Sequence, residues 1–229
     1  AAYAMTMLAW SWWRLPETLQ PEYRRSLKFR SMASAIVQTV REPQSRGYTL
    51  ATTVIFAALV AYISSVQQII FDAFKTPHLI GLVFAAIAAP MALASWFNSR
   101  IVERFGLRRV GHSASLALAI VTSLHAAVAL AGWETLASFI VLQALTMCCF
   151  AFASSNLGTL AMEHMAPIAG TASSVQGVTG TLGAATLGFL IGQQFDGTAT
   201  PFVVGTAACT SIGFLLIVLT EPKRLFAPI

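Results

Sequence analysis

A basic segment at residues 98–109 constrains the fold of this chain more than any other stretch. It reads Asn-Ser-Arg-Ile-Val-Glu-Arg-Phe-Gly-Leu-Arg-Arg and lies between apolar runs at residues 79–97 and 113–131. Each run is about long enough to cross a bilayer, which takes roughly 20 apolar residues. Short loops rich in Lys and Arg stay on the cytoplasmic face of a membrane. We therefore expect residues 98–112 to be cytoplasmic, and every other span takes its orientation from them.

The composition indicates a polytopic membrane protein. Of 229 residues, 56% are hydrophobic and 10% are charged, whereas soluble domains carry about 25% charged residues. The formal net charge of +5 comes from basic residues in segments that flank apolar runs, so we expect a lipid membrane and no nucleic acid as a partner. The cysteines Cys148, Cys149 and Cys209 fall inside apolar runs without metal-ligand spacing, so no metal site is predicted.

Six apolar runs predict an all-α membrane protein with a bundle of six transmembrane helices. The runs lie at residues 48–71, 79–97, 113–131, 136–156, 170–195 and 202–220. Of the fourteen Lys and Arg residues, all except Lys75 fall on the side predicted to be cytoplasmic. This bias predicts a multi-pass protein of the plasma (inner) membrane, with residues 14–46 and 98–112 in the cytoplasm.

The segments outside the bundle have predicted roles as well. Residues 1–13, which end in three tryptophans, are predicted to be the end of a preceding transmembrane helix. Residues 14–46 are predicted to be a cytoplasmic linker that contains an amphipathic interfacial helix, because apolar residues recur there at helical spacing. Residues 47–220 are assigned to the bundle and residues 221–229 to a cytoplasmic tail.

The basic segment resembles the loop motif of the major facilitator superfamily, Gly-x-Leu-Ala-Asp-Arg-x-Gly-Arg-Arg/Lys. The matching residues are Ser99, Ile101, Val102, Glu103, Arg104, Gly106, Arg108 and Arg109, with Ser99 and Glu103 in place of the family's glycine and aspartate. In that superfamily the loop locks neighbouring helices in one of two alternating states. Its second copy joins the eighth and ninth of twelve helices, so the resemblance implies the C-terminal half of a twelve-helix fold.

The resemblance assigns a gating function to Glu103, Arg104, Gly106, Arg108 and Arg109. We expect Glu103 to pair with Arg104 and Arg108, and Gly106 to form a tight turn that needs positive φ or close backbone approach. A solvated loop that only sets the orientation of the helices is the alternative.

Two further stretches resemble the bicyclomycin-resistance-like branch of drug/proton antiporters. Residues 14–19 read Arg-Leu-Pro-Glu-Thr-Leu, and residues 169–174 read Ala-Gly-Thr-Ala-Ser-Ser at the start of a later span. The resemblance implies a secondary active transporter that exports small hydrophobic or cationic compounds in exchange for protons by alternating access. Its partners are then a small-molecule substrate, protons, and an N-terminal six-helix half absent from this chain. A metabolite or sugar carrier of the same superfamily, and a non-transporting membrane scaffold, stay open as alternatives.

Polar side chains inside the spans are the candidates for substrate binding, because each needs a partner in protein or in a water-filled cavity. They are Tyr62, Gln67, Gln68, Gln143, Met147 and Asn156, which combine amides with adaptable apolar groups. Hydrogen bonds to neighbouring helices are the alternative role for the amides, and a position facing lipid or the core is the alternative for Met147. The sequence contains no phosphate-binding loop, no paired zinc ligands and no nucleophile motif, so we expect neither an enzyme nor a cofactor.

The span at residues 170–195 repeats small residues, among them Gly180, Gly188 and Gly192, at helix-packing spacing. The stripe predicts either static packing or a sliding surface for alternating access. His125 is the one ionisable residue well inside an apolar run, which makes it a functional candidate by default. A hydrogen bond within the bundle is the alternative, and the proton site is then expected in the absent half.

Overall fold

Helices make up nearly all of residues 2–14 and 29–227, which are the residues that the computed structural model describes. No strand occurs in these two ranges. Six of the helices within them are long and apolar enough to cross a membrane, which confirms the number of spans predicted from the apolar runs. The Pro-Glu-Thr-Leu stretch falls outside the described residues.

The eight α-helices of the described residues are numbered in chain order. Their bounds are α1 Ala2–Arg14, α2 Phe29–Arg41, α3 Pro43–Gln68, α4 Ile80–Phe105, α5 Leu107–Leu130, α6 Leu136–Met162, α7 Ala169–Gly192 and α8 Thr200–Thr220. A π-helical turn, Ile69–Ala73, extends α3, and 3-10 turns at Pro77–Leu79 and Ala166–Ile168 precede α4 and α7. Helices α3 to α8 are the six of membrane length.

The chain divides into two compact units, Ala1–Ser34 and Ala35–Ile229. The first unit contains α1, a helix of 13 residues on which Trp10, Trp12 and Trp13 are all exposed. The first unit also contains the start of α2, and the second unit begins within that helix. Helix α2 corresponds to the predicted amphipathic helix.

Helices α3 to α8 alternate in direction, because the connections are short and each helix starts on the side of the bundle where the previous helix ended. One side of the bundle holds the first residues of α3, α5 and α7, the last residues of α4, α6 and α8, and the four arginines of residues 98–109. We call this side the basic end. The other side is the opposite end, and the half of the bundle next to it is the opposite half.

Three helices extend beyond the apolar runs, because hydropathy does not detect polar residues that continue a helix. Helix α3 begins at Pro43 rather than residue 47, because Glu42 caps it by accepting a hydrogen bond from the Ser45 amide and Pro43 occupies the first helical position. Helix α4 continues to Phe105, so the predicted loop at residues 98–112 is helical apart from Gly106. Helix α6 likewise continues to Met162.

Helix α3 is central to the bundle and packs against α6, α7 and α8. Buried apolar side chains from these helices form one cluster around Ile55 and Leu157 near the basic end and another around Ile69 and Phe139 in the opposite half. The rest of the chain covers α4 and α7 far less, since only 17% and 11% of the residues in their most apolar stretches are buried. The rest of the bundle therefore leaves much of the surface of these two helices uncovered.

Candidate functional site

A network of polar side chains, most of them buried, joins the helix ends at the basic end of the bundle. Its central residue is Arg108, which is only 5% exposed. Arg108 Nε donates to Glu221 Oε2 at 2.8 Å, and Nη2 donates to Glu163 Oε2 at 2.6 Å and to Glu221 Oε1 at 3.2 Å. Gln44 Nε2 donates to the same Glu163 oxygen at 2.5 Å and to the Leu160 carbonyl at 3.1 Å. We call Gln44, Tyr48, Arg108, His112, Glu163 and Glu221 the polar cluster.

The hydrogen bonds of His112 fix its tautomer. Its Nδ1 accepts from the Phe226 backbone N–H at 3.2 Å and therefore carries no proton. Its Nε2 then carries the ring proton and donates to the Tyr48 hydroxyl at 2.8 Å. The hydroxyl in turn donates to Glu221 Oε2 at 2.8 Å. This chain of donors needs a neutral His112, and it connects the residues after α8 to α5 and α3.

Positions at helix ends bring the polar cluster together. Glu163 and Glu221 are the residues at which α6 and α8 end, and Arg108 is the second residue of α5. Gln44 lies in the first turn of α3, and His112 and Tyr48 follow one turn further inward on their helices. A buried arginine must be paired, because the desolvation of its charge costs several kcal/mol. The two glutamates supply that pairing from α6 and α8.

The carboxyl of Glu221 is held ionised by its neighbours. Burial alone raises its pKa, but the hydrogen bonds from Arg108 and Tyr48 outweigh burial and leave the pKa below its usual range. Glu221 lies just after α8, so residues that follow the last span also contact the bundle.

The structure corrects the predicted pairing of the gating loop. Glu103, Arg104 and Arg109 are exposed, and Glu103 makes no ion pair within the described ranges. Arg108 pairs with Glu163 and Glu221 instead, because the second position of α5 points it into the bundle while Glu103 lies on the outer surface of α4. Gly106 has φ 83° and ψ 153°, a conformation essentially restricted to glycine, as the predicted turn requires.

The predicted substrate-binding residues separate into a buried and an exposed group. Tyr62, Gln143 and Met147 are buried in the opposite half, with exposed fractions of 4%, 1% and 1%. Tyr62 and Met147 belong to the same core cluster, and Gln143 lies one turn before Met147 on α6. Gln67 and Gln68 are exposed near the π-helical turn. Neither side chain has a hydrogen-bond partner in the described part of the chain.

Asn156 lies apart from that group. Its Nδ2 donates to Asn98 Oδ1 at 2.9 Å and to the Phe152 carbonyl at 2.7 Å. It is thirteen residues beyond Gln143, or about 20 Å along α6. Asn156 therefore joins α6 to α4 near the basic end, which is the alternative role that the sequence left open.

Four buried side-chain atoms of the described residues have no hydrogen-bond partner, and all four lie in the opposite half. They are Tyr62 Oη, Ser65 Oγ, Thr76 Oγ1 and Gln143 Nε2. A buried polar group left unpaired costs about 1–3 kcal/mol. Such groups are rare in folded proteins, so each calls for an explanation. Tyr62 and Gln143 are two of the residues that the sequence singled out for substrate binding.

The glycine stripe of α7 packs against α3. A Cβ at Gly188 would lie 2.7 Å from Val60 Cγ1 and 3.0 Å from the Ala61 backbone nitrogen, and one at Gly192 would lie 3.5 Å from Ser65 Oγ. Gly180 has more room, with Thr53 Oγ1 at 4.0 Å from the corresponding position. The stripe therefore contacts a helix of its own bundle, which corresponds to the packing alternative.

His125 forms a largely buried hydrogen bond with Glu134. Its Nε2 lies 2.7 Å from Glu134 Oε1, and the two side chains are 2% and 10% exposed. The imidazole also contacts the Phe139 ring edge-on, with centroids 5.6 Å apart. His125 therefore has the hydrogen bond within the bundle that the sequence left as an alternative to a functional role.

The polar cluster was missed from the sequence because its pairs are far apart along the chain. Arg108 is separated from Glu163 by 55 residues and from Glu221 by 113. One signal was present in the sequence, since Glu163 and Glu221 are acids that directly follow long apolar stretches. Acids at such positions are candidates to pair with a buried cation.

Comparison with known proteins gives one distant relative. The chain is 25% identical over 220 residues to a bicyclomycin resistance protein homolog of Haemophilus influenzae, and the alignment covers 92% of the chain and 53% of the relative. The chain thus spans about half the length of this curated relative. No family model matches the chain, and no solved structure matches it significantly. The six helices of membrane length are typical of a multi-pass membrane protein.

Proposed function

We propose that this chain is the C-terminal six-helix half of a major facilitator superfamily transporter, which exports small hydrophobic or cationic compounds in exchange for protons. The observation that carries the proposal is the pair Tyr62 and Gln143, whose buried polar atoms have no partner in the bundle. In an alternating-access transporter such groups face a central cavity and bind substrate there. The similarity to half of a resistance protein homolog supports the same class of function.

In this proposal the polar cluster locks the basic end in one of the two alternating states. Arg108 and its carboxylate partners tie the start of α5 to the ends of α6 and α8, while Tyr48 and Gln44 add α3. Opening this end requires these bonds to separate and the charges to be hydrated. The gating function assigned to the basic segment thus depends mainly on Arg108, and Gly106 provides the turn that positions it.

Substrate recognition is assigned to the opposite half. Tyr62 and Gln143 offer a hydroxyl and an amide, and Met147 beside them offers an adaptable apolar surface. These groups favour a ligand with an apolar body and a few hydrogen-bonding atoms. Gln67 and Gln68, exposed beside the π-helical turn, are placed to contact the substrate on its way to or from the opposite end. The sixth predicted residue, Asn156, serves helix packing instead.

The proposed partner is a second six-helix half. The poorly covered faces of α4 and α7 carry exposed apolar side chains such as Leu93 and Leu182, which suits them to pack against that half. The proton site is assigned to the same partner, because the one ionisable group well inside a span of this chain, His125, is paired with Glu134. We infer that residues 98–109 lie on the cytoplasmic side of the inner membrane.

Efflux by the full-length protein in proteoliposomes with an imposed pH gradient tests the proposal. Ethidium and a panel of uncharged hydrophobic compounds serve as substrates. Gln143→Leu and Tyr62→Phe are expected to change the relative rates across the panel without loss of insertion, while Gln193→Leu, an exposed glutamine after α7, leaves them unchanged. His125→Gln is expected to preserve proton-driven efflux.

Three outcomes contradict the proposal. Efflux driven by a proton gradient in liposomes that contain the 229-residue chain alone would show that the proton site is in this half. A panel whose relative rates are unaffected by Gln143→Leu and Tyr62→Phe would remove these residues from the recognition site. A full-length protein that inserts but moves no compound would favour the scaffold alternative.

A further inference from the structure

An apolar groove opens on the surface of the bundle at the basic end, outside the polar cluster. It has a volume of about 430 Å³ and is formed by residues of α4, α5 and α6. Apolar side chains make up most of its lining, and the exceptions are Arg109 and Ser113 near its mouth. From Arg109 to Ala117 the groove follows α5 for eight residues, or about 12 Å into the apolar span.

The mouth of the groove is positively charged. The guanidinium of Arg109 lies 6.0 Å from the centre of the Phe105 ring, and that of Arg104 lies 5.4 Å from the same ring. Both arginines are exposed, and neither pairs with a carboxylate in the part of the chain that the structure describes. Helix α5 begins beside them, and Gly106 provides no side chain to cap its positive end.

We propose that this groove binds an anionic phospholipid of the leaflet at the basic end. Its acyl chain lies along Ala117, Cys149 and Phe152, and its phosphate contacts Arg109. The groove's charge and polarity follow the same gradient as such a lipid, with cations at the depth of the headgroups and apolar walls below them. This inference depends on insertion of α3 to α8 into a membrane and is independent of transport.

The site is tested by native mass spectrometry of the purified chain with phosphatidylglycerol or phosphatidylcholine of identical acyl chains. We expect preferential retention of phosphatidylglycerol. Arg109→Gln should lower its affinity about fivefold, the usual effect of one basic side chain at an anionic membrane surface. Arg109→Lys should restore most of that loss. Arg100→Gln is the matched control, because the Arg100 guanidinium lies over the Trp96 ring at 4.5 Å, away from the groove.

Filling the groove tests the acyl-chain part separately. Ala117→Trp should reduce retention of both lipids, whereas Ala127→Trp, on an exposed position of the same helix, should not. Bound phosphatidylglycerol should also slow the reaction of Cys149 with an apolar maleimide in a Cys148→Ala background. In the Cys149→Ala background, the neighbouring Cys148, which is not part of the lining, should react at an unchanged rate.

Equal retention of the two lipids, or an equal loss in Arg100→Gln, would overturn the proposal in favour of diffuse electrostatic attraction. Displacement of the lipid by inorganic phosphate would show that Arg109 recognises a free anion. If Ala117→Trp retains lipid normally and Cys149 stays unprotected, the groove holds no acyl chain. Reduced retention of lipid by Ala117→Trp with unaltered efflux in proteoliposomes separates this site from the proposed substrate site.

Discussion

The basic end and the opposite half of the bundle treat their buried polar groups in different ways. At the basic end, Arg108 and Tyr48 have partners for their charged or polar atoms, drawn from α3, α5, α6 and α8. In the opposite half, Tyr62 and Gln143 are equally buried but leave polar atoms without a partner in the described residues. Two tyrosines fourteen residues apart on the same helix therefore have opposite hydrogen-bonding states.

The difference indicates which end of the bundle is built for stability in this conformation. Paired polar groups join four helices at the basic end, where the chain alone satisfies them. In the opposite half, close packing of α7 on α3 holds the helices together, and the unpaired groups stay available to a ligand. The proposed transport function would use both properties, with one end closed while the polar groups of the other half are unoccupied.

Loss of the central cation should have the largest effect. Arg108→Gln removes the charge that pairs with Glu163 and with Glu221, whose side chain is only 9% exposed, and we expect a loss of about 3 kcal/mol in the free energy of unfolding. The midpoint of thermal unfolding in detergent measures it, with Arg100→Gln as an exposed control. If both variants melt alike, the basic end owes its stability to apolar packing.

A methyl group in the seam between α3 and α7 tests the packing of the opposite half. Gly188→Ala places Cβ against Val60 and the Ala61 backbone, so we expect destabilisation of about 1–3 kcal/mol. Gly177→Ala, on the same helix, meets no atom within 4 Å and should be neutral or slightly stabilising. An unaffected melting point for Gly188→Ala would mean that the seam is loose enough to slide.

The same substitution in the two regions gives the sharpest comparison. Tyr48→Phe removes a hydroxyl bonded to Glu221 and His112, so we expect a loss of about 1–2 kcal/mol. Tyr62→Phe removes an unpartnered hydroxyl, so we expect no loss and a gain of up to about 1 kcal/mol. Thermal melts of the two variants side by side test this, and equal losses would contradict the contrast between the regions.

Acid should weaken the basic end selectively, with a smaller effect. Because the folded pKa of Glu221 is depressed, its contribution is fully present above the unfolded glutamate value of about 4.3 and is lost as pH falls through the lower folded value. We expect Glu221→Gln to flatten the fall in melting temperature below about pH 4.5. Glu103→Gln, at an exposed carboxyl, should leave the wild-type curve. Identical curves for all three proteins would assign the acid sensitivity to other groups.

The number of helices was predictable because six long apolar runs have few other stable structures in a membrane. The turn at Gly106 was predictable from its position between polar helix ends. The partners of Arg108 were not, because hydropathy and local spacing carry no information on contacts between residues 55 or 113 positions apart. For the same reason the bond between Asn98 and Asn156 could not be distinguished from a substrate contact.

Helices α4 and α5 are separated by one non-helical residue, so two backbone torsions at Gly106 set the angle between rods of 26 and 24 residues. Because each helix is more than about 30 Å long, a small change in either torsion moves the far end of the helix by a large distance. Any side chain at this position would stiffen the joint as well as strain it. We therefore expect a substitution at Gly106 to change the relative motion of the two helices without altering any residue of the proposed substrate site.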